Sequence, residues 1–168
     1  MEAAEKAHSR VERRIGLTMA IMASALAVVT LMGHRLHTEE VLLQTKATDG
    51  WAFFQAKNGR FHMYTADATL AELTAGERGQ AIAETWKKKA EEERSQAEDI
   101  RKANEHLEEE TQAAARQANF FDIGEIFLEV GIVLCSVALL TGRAMFWHLA
   151  FVPAAIGVAA SLFGYLKT

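Results

Sequence analysis

Ile15 to Met32 reads IGLTMAIMASALAVVTLM. The run carries no charge, and with its flanks it is long enough to cross the hydrocarbon of a bilayer as one helix. Two further apolar runs follow, from Phe120 to Leu140 and from Ala144 to Leu166. Between the first and second lie about 86 residues rich in Ala, Glu, Lys, Gln and Leu, which are strong helix formers. The chain holds a single Pro and no alternating β-branched run that would build a sheet. The sequence therefore predicts an all-α membrane protein. Three transmembrane helices, at 15–33, 120–140 and 144–166, follow a basic tail at 1–14. A long antiparallel helical hairpin, coiled-coil-like, fills 34–119 outside the membrane.

The hairpin is read from spacing. Leu36, Leu43, Ala47, Trp51, Phe54, Phe61 and Ala68 recur at steps that keep them on one helix face. The pattern ends near Leu73, and the glycines of Thr74-Ala75-Gly76-Glu77-Arg78-Gly79 mark a turn near 74–79. Beyond it, Trp86, Ala90, Glu93, Ala97, Ile100, Asn104 and Leu107 begin a seam of alternating four- and three-residue steps. Thr111, Ala114, Ala118 and Phe121 continue it. Each arm of about 40 residues would reach roughly 60 Å as helix. The expected packing contacts are Trp51, Phe54, Phe61, Trp86, Ile100 and Leu107, with Phe53 turned elsewhere, toward a neighbouring subunit. The Asn58-Gly59 pair predicts a kink or an early end to the first arm, since Gly costs about 1 kcal/mol in a helix interior. Ala, Thr, Glu and Asn at seam positions leave little apolar area to bury, which points to self-association or a partner.

Charge and composition narrow the function. The middle carries 12 Lys/Arg against 16 Asp/Glu, so it offers no basic face for nucleic acid. The only cysteine, Cys135, lies in the second apolar run, so the chain has no disulfide framework or cysteine metal site. His34, His37 and Glu40 share a face, but no further ligand is fixed by pattern, and no metal is assigned. No nucleophile–base pair, phosphate-binding Gly loop, HExxH or dinucleotide fingerprint is present. The sequence predicts no enzyme, no catalytic residue and no cofactor.

Lys6, Arg10, Arg13 and Arg14 precede the first run, and Arg143 sits in the short link between the second and third. Basic residues near span ends stay on the cytoplasmic side. That places the amino terminus inside and the hairpin in the periplasm. Leu31-Met32-Gly33-His34-Arg35 lacks a small-x-small cleavage site, so the first run reads as an uncleaved anchor.

The sharpest chemical feature is Asp122, Glu125 and Glu129, whose spacing puts three carboxylates on one face of the second span. A charge in hydrocarbon is costly, so such residues are expected to face protein or water. They form a possible intramembrane ionisable site, or an interfacial set bonded to Thr or Ser or paired with His34 or Arg35. Small residues four apart, including Ala20/Ser24, Gly157/Ser161 and Ala160/Gly164, allow close helix approach. Pro153 is expected to kink the third span.

The segment Gln44 to Lys57, QTKATDGWAFFQAK, and the FLEVGIVLCSVALL stretch of the second span resemble a bacterial membrane family, domain of unknown function 4337. The resemblance implies the same layout: one amino-terminal span, a charged helical middle and two closely spaced carboxyl-terminal spans. The chain departs from the family pattern at Gly50 and Glu129, where amides are common, and across Asn58 to His62. The resemblance implies no activity. The expected function is that of a structural or accessory inner-membrane subunit, scaffolding a larger assembly as a homo-oligomer or with other polypeptides, with membrane lipid around it. The alternative is a homo-oligomeric ion or proton channel lined by the carboxylates of the second span.

Overall fold

A computed structural model describes residues 2–73 and 76–166, with side chains from Arg10 onward. Three helices account for nearly all of it: α1 (Glu2–Leu73), α2 (Glu77–Thr141) and α3 (Ala144–Leu166). No strand is present among the described residues. Each helix contains a segment long and apolar enough to cross a membrane. The chain divides into two compact units, one of residues 1–40 with 113–168 and the other Val41–Gln112.

Glycine sets both helix ends that need a left-handed backbone. Gly76 has φ of 107° and Gly142 has φ of 64°, conformations that a Cβ disfavours. The Gly76 carbonyl accepts from the Gly79 amide at 3.1 Å, so Glu77 to Gly79 already form the first turn of α2. Of the expected turn, residues 74 and 75 lie outside the described residues. Asn58-Gly59 does not break α1, which remains helical through both residues. The flanking helix formers and the packed face outweigh the local cost of glycine. α3 likewise stays helical across the buried Pro153.

In the first unit, α1 contributes Ile15, Met22 and Val29 at seven-residue steps, and α2 answers with Phe121, Leu128 and Cys135 at the same step. Ala150 and Ala154 bring α3 against them. The α2–α3 approach is close enough to be set by backbone. A Cβ on Gly157 would lie 2.7 Å from the Gly124 carbonyl oxygen, and one on Gly164 would lie 2.8 Å from Phe120 Cβ. Ser161, buried here, donates its hydroxyl to the Gly157 carbonyl at 3.0 Å. Of the small-residue pairs, Gly157/Ser161 and Gly164 face this contact, while Ala20/Ser24 stay exposed. Trp147 Nε1 donates to Thr18 Oγ1 at 3.2 Å, joining α3 to α1.

In the second unit, α1 and α2 pair antiparallel. Ala47, Ala68, Ala83, Ala90 and Ala97 are buried along the seam. Small side chains bring the helices close but remove little apolar area from water, at about 25 cal/mol per Å². Aromatic and polar contacts supply the rest. Tyr64 stacks on Trp86 with ring centroids 5.2 Å apart, and Lys89 Nζ lies 4.7 Å from the Trp86 centroid.

Candidate functional site

Two clusters concentrate the polar chemistry, one in each unit. The first is built on α1 and α2 at the edge of the apolar segments. His37 Nε2 lies 3.1 Å from both carboxylate oxygens of Asp122. Its Nδ1 lies 3.3 Å from Glu40 Oε2, one turn along α1. All three side chains are half-buried. A protonated imidazolium donates to both acids at once, and His37 is raised above its ordinary value of 6.5, first by the hydrogen bond to Asp122. Partial burial opposes that rise, and Glu40 adds to it. Gly33, one turn before His37, faces α2, and a Cβ there would make only ordinary contact, with Phe121 Cβ at 3.5 Å and Asp122 Oδ1 at 3.7 Å.

Asp122 therefore pairs with His37, whereas the sequence suggested His34 or Arg35, both of which are exposed. Which basic residue meets Asp122 depends on the register between two helices 85 positions apart in sequence. Glu125 is half-buried and Glu129 exposed on α2. Among the described residues neither makes a hydrogen bond or ion pair. The three carboxylates thus differ: one is held by α1, and two present free oxygens.

The second cluster lies in the hairpin. Lys57 Nζ and Arg60 Nε approach the same oxygen of Glu93, at 3.1 and 3.2 Å. Lys57 also donates to Gln96. Glu93, an expected seam residue, is therefore an ionic one. Three turns further along α2, Asn104 is 2% exposed and its Nδ2 has no hydrogen-bond partner. It fits only because residue 50 is glycine: a Cβ there would sit 2.0 Å from Asn104 Oδ1.

Of the expected packing residues, Trp51, Phe54, Phe61, Trp86, Ile100 and Leu107 are half-buried, and Phe53 is exposed. Trp51 meets Phe54 edge-on at 5.5 Å and donates its indole N–H to Glu108 at 2.7 Å. A cleft of about 290 Å³ opens beside that bond, lined by Gln44, Thr48, Thr111 and Gln112 among others. Sequence reasoning did not single out Tyr64, Lys57, Arg60 or the Gly50–Asn104 contact. Gly50 within a helix-forming stretch, seven-residue steps away from Leu43 and Lys57, was the signal that something bulky sits opposite.

The first unit also has an apolar groove of about 550 Å³ bordered by Thr18, Met22, Leu128, Phe151, Ala155 and Leu162. Its lining has almost no polar group to orient a soluble ligand.

A family model described as domain of unknown function, DUF4337, matches residues 11–167. No curated protein matches the chain, and no solved structure does.

Proposed function

The chain belongs to the DUF4337 family, and from that premise we propose that it is a structural or accessory subunit of the bacterial inner membrane. In this reading it has three spans, a cytoplasmic amino terminus and a periplasmic hairpin, and it stabilises a larger membrane assembly. One observation carries the reading. Glu129 is exposed on the apolar part of α2, with no hydrogen bond or ion pair among the described residues. A carboxylate facing lipid at that depth is expensive, on the order of 2.5–3.5 kcal/mol for Asp near a helix centre. The cost falls if another polypeptide presents a donor to Glu129 and the half-buried Glu125. The apolar groove over Leu128 suits a lipid acyl chain or a neighbouring apolar helix for the same reason that it suits no soluble ligand.

The test is purification from native membranes in mild detergent, followed by intact-mass measurement of the assembly. The accessory reading expects a fixed ratio of this chain to other polypeptides, and Glu129→Leu should lower their recovery several-fold while leaving the chain inserted. The same exposed pair, Glu125 and Glu129, favours one other reading, a ring of this chain around a path lined by α2. That reading expects a single-component closed oligomer. It also expects proton or cation flux in liposomes that Glu129→Gln abolishes.

A further inference from the structure

An apolar groove and three arginines meet at one end of the first unit. Leu128 of α2 forms the floor of the groove, Ile21 and Ala25 of α1 line one wall, and Ala155, Val158 and Leu162 of α3 line the other. Ile21 is 62% exposed and Leu162 55%, so the groove opens outward. From Phe151 to Leu162 it runs about 16 Å along α3. That is close to half of a hydrocarbon core of about 30 Å, the depth of one leaflet.

The direction of the helices fixes what stands at the mouth of the groove. Trp147 of α3 donates to Thr18 of α1 at one end. At the other end Phe121 borders both helices, 3.5 Å from a Cβ built on Gly33 and 3.4 Å from one built on Gly164. α1 and α3 therefore run the same way, and the residues one turn before Thr18 and Trp147 lie at one level. Those residues are Arg14 and Arg143. Arg10 lies a turn further out, on the face of α1 that also carries Arg14, Thr18, Ile21 and Ala25. Glu12 and Arg13 fall on the other side of the helix. Arg10, Arg14 and Arg143 are exposed, and among the described residues none of their guanidinium groups has a hydrogen bond or ion pair. Trp147, whose ring meets Phe151 edge-on at 5.8 Å, is of the residue type that gathers where hydrocarbon gives way to headgroups.

We propose that this end of the unit binds an anionic phospholipid, with one acyl chain in the groove and the phosphate on Arg14 and Arg143. The proposal rests on the reading that the apolar segments cross a membrane, and it is independent of the accessory role. Charge complementarity selects the occupant. The groove alone suits any apolar chain or helix, but an apolar helix would leave the arginines at its mouth unanswered. A phosphate answers them, since arginine binds it through two parallel N–H donors. Arginines that only orient insertion act by their number near a span end. They need not share a face with a groove.

The test uses the full chain, purified in mild detergent and stripped of lipid, so that direction of insertion has no part in the result. It is titrated with phosphatidylglycerol or phosphatidylcholine, both carrying palmitoyl and oleoyl chains. Native mass spectrometry counts the lipid retained, and circular dichroism reports helix content. Phosphatidylglycerol should be retained several-fold more than phosphatidylcholine. Arg14→Gln with Arg143→Gln should remove that preference, Arg14→Lys with Arg143→Lys should restore much of it, and Arg13→Gln should leave it intact. Ala155→Phe, which fills the groove, should lower phosphatidylglycerol retention several-fold with helix content unchanged. Equal retention of the two lipids by wild type overturns the site, as does a preference that survives the paired Gln variant. Unchanged retention by Ala155→Phe also overturns it, and a co-purifying polypeptide lost in that variant instead assigns the groove to a neighbouring helix. No lipid preference in a chain that still co-purifies with other polypeptides would sink the site and leave the accessory reading standing. A chain that purifies alone and still selects phosphatidylglycerol would do the reverse.

Discussion

Asn104 and Gly50 form a fitted pair. The amide occupies the space that a side chain at residue 50 would take, 2.0 Å from an added Cβ to Asn104 Oδ1. Gly50→Ala gains helix propensity of up to about 1 kcal/mol but overpacks the seam, so a net loss of about 1–3 kcal/mol is expected. Thermal unfolding of the detergent-solubilised protein measures it. Adding Asn104→Ala should recover part of that loss, because contacting sites are not additive. His37 makes a pH-dependent contribution. Its folded-state value is raised above 6.5, first by the hydrogen bond to Asp122. The stabilisation is therefore full below about 6.5 and fades as pH rises through the folded-state value. Wild type should lose melting temperature as pH rises above about 6.5, and His37→Gln should flatten that part of the slope. Identical slopes would mean that the contact does not hold in solution.

Among the helices, two interior glycines predict opposite signs. Gly59 has nothing within 4 Å of an added Cβ, so Gly59→Ala should raise hairpin stability by up to about 1 kcal/mol in detergent. Gly157 faces the Gly124 carbonyl, so Gly157→Ala forces α2 and α3 apart and should cost about 1–3 kcal/mol. Both read off denaturation curves of the same preparation. Much of the α2 face was legible in its numbering. Ala90, Ala97, Asn104, Ala114, Ala118 and Phe121 fall on alternating four- and three-residue steps, and all are buried. Periodicity reports the phase of one helix, and it reports nothing of what lies across from it. Hence the Tyr64–Trp86 stack, the Lys57 and Arg60 pairs with Glu93, and the choice of His37 over His34 for Asp122 were not readable. Each depends on register between residues far apart in sequence.

For the molecule as a whole, the three apolar runs and their order sufficed for an all-helical chain with three membrane-length helices, because hydropathy and propensity agree along each. Cys135 reports on the integrity of the first unit. It is fully buried, so maleimide labelling of folded protein should be slow and should rise to one thiol per chain on denaturation. Rapid labelling without denaturant would show that the core around Leu128 is open. The Gly50–Asn104 fit has a mechanical consequence for the two arms. Sliding α1 by one heptad would bring Leu43 or Lys57 opposite Asn104, each with a side chain where glycine alone leaves room. The pair works as a key in a keyway: piston travel between the arms is blocked, a push on one is handed to the other without slippage, and the hairpin keeps the fixed length of a ruler.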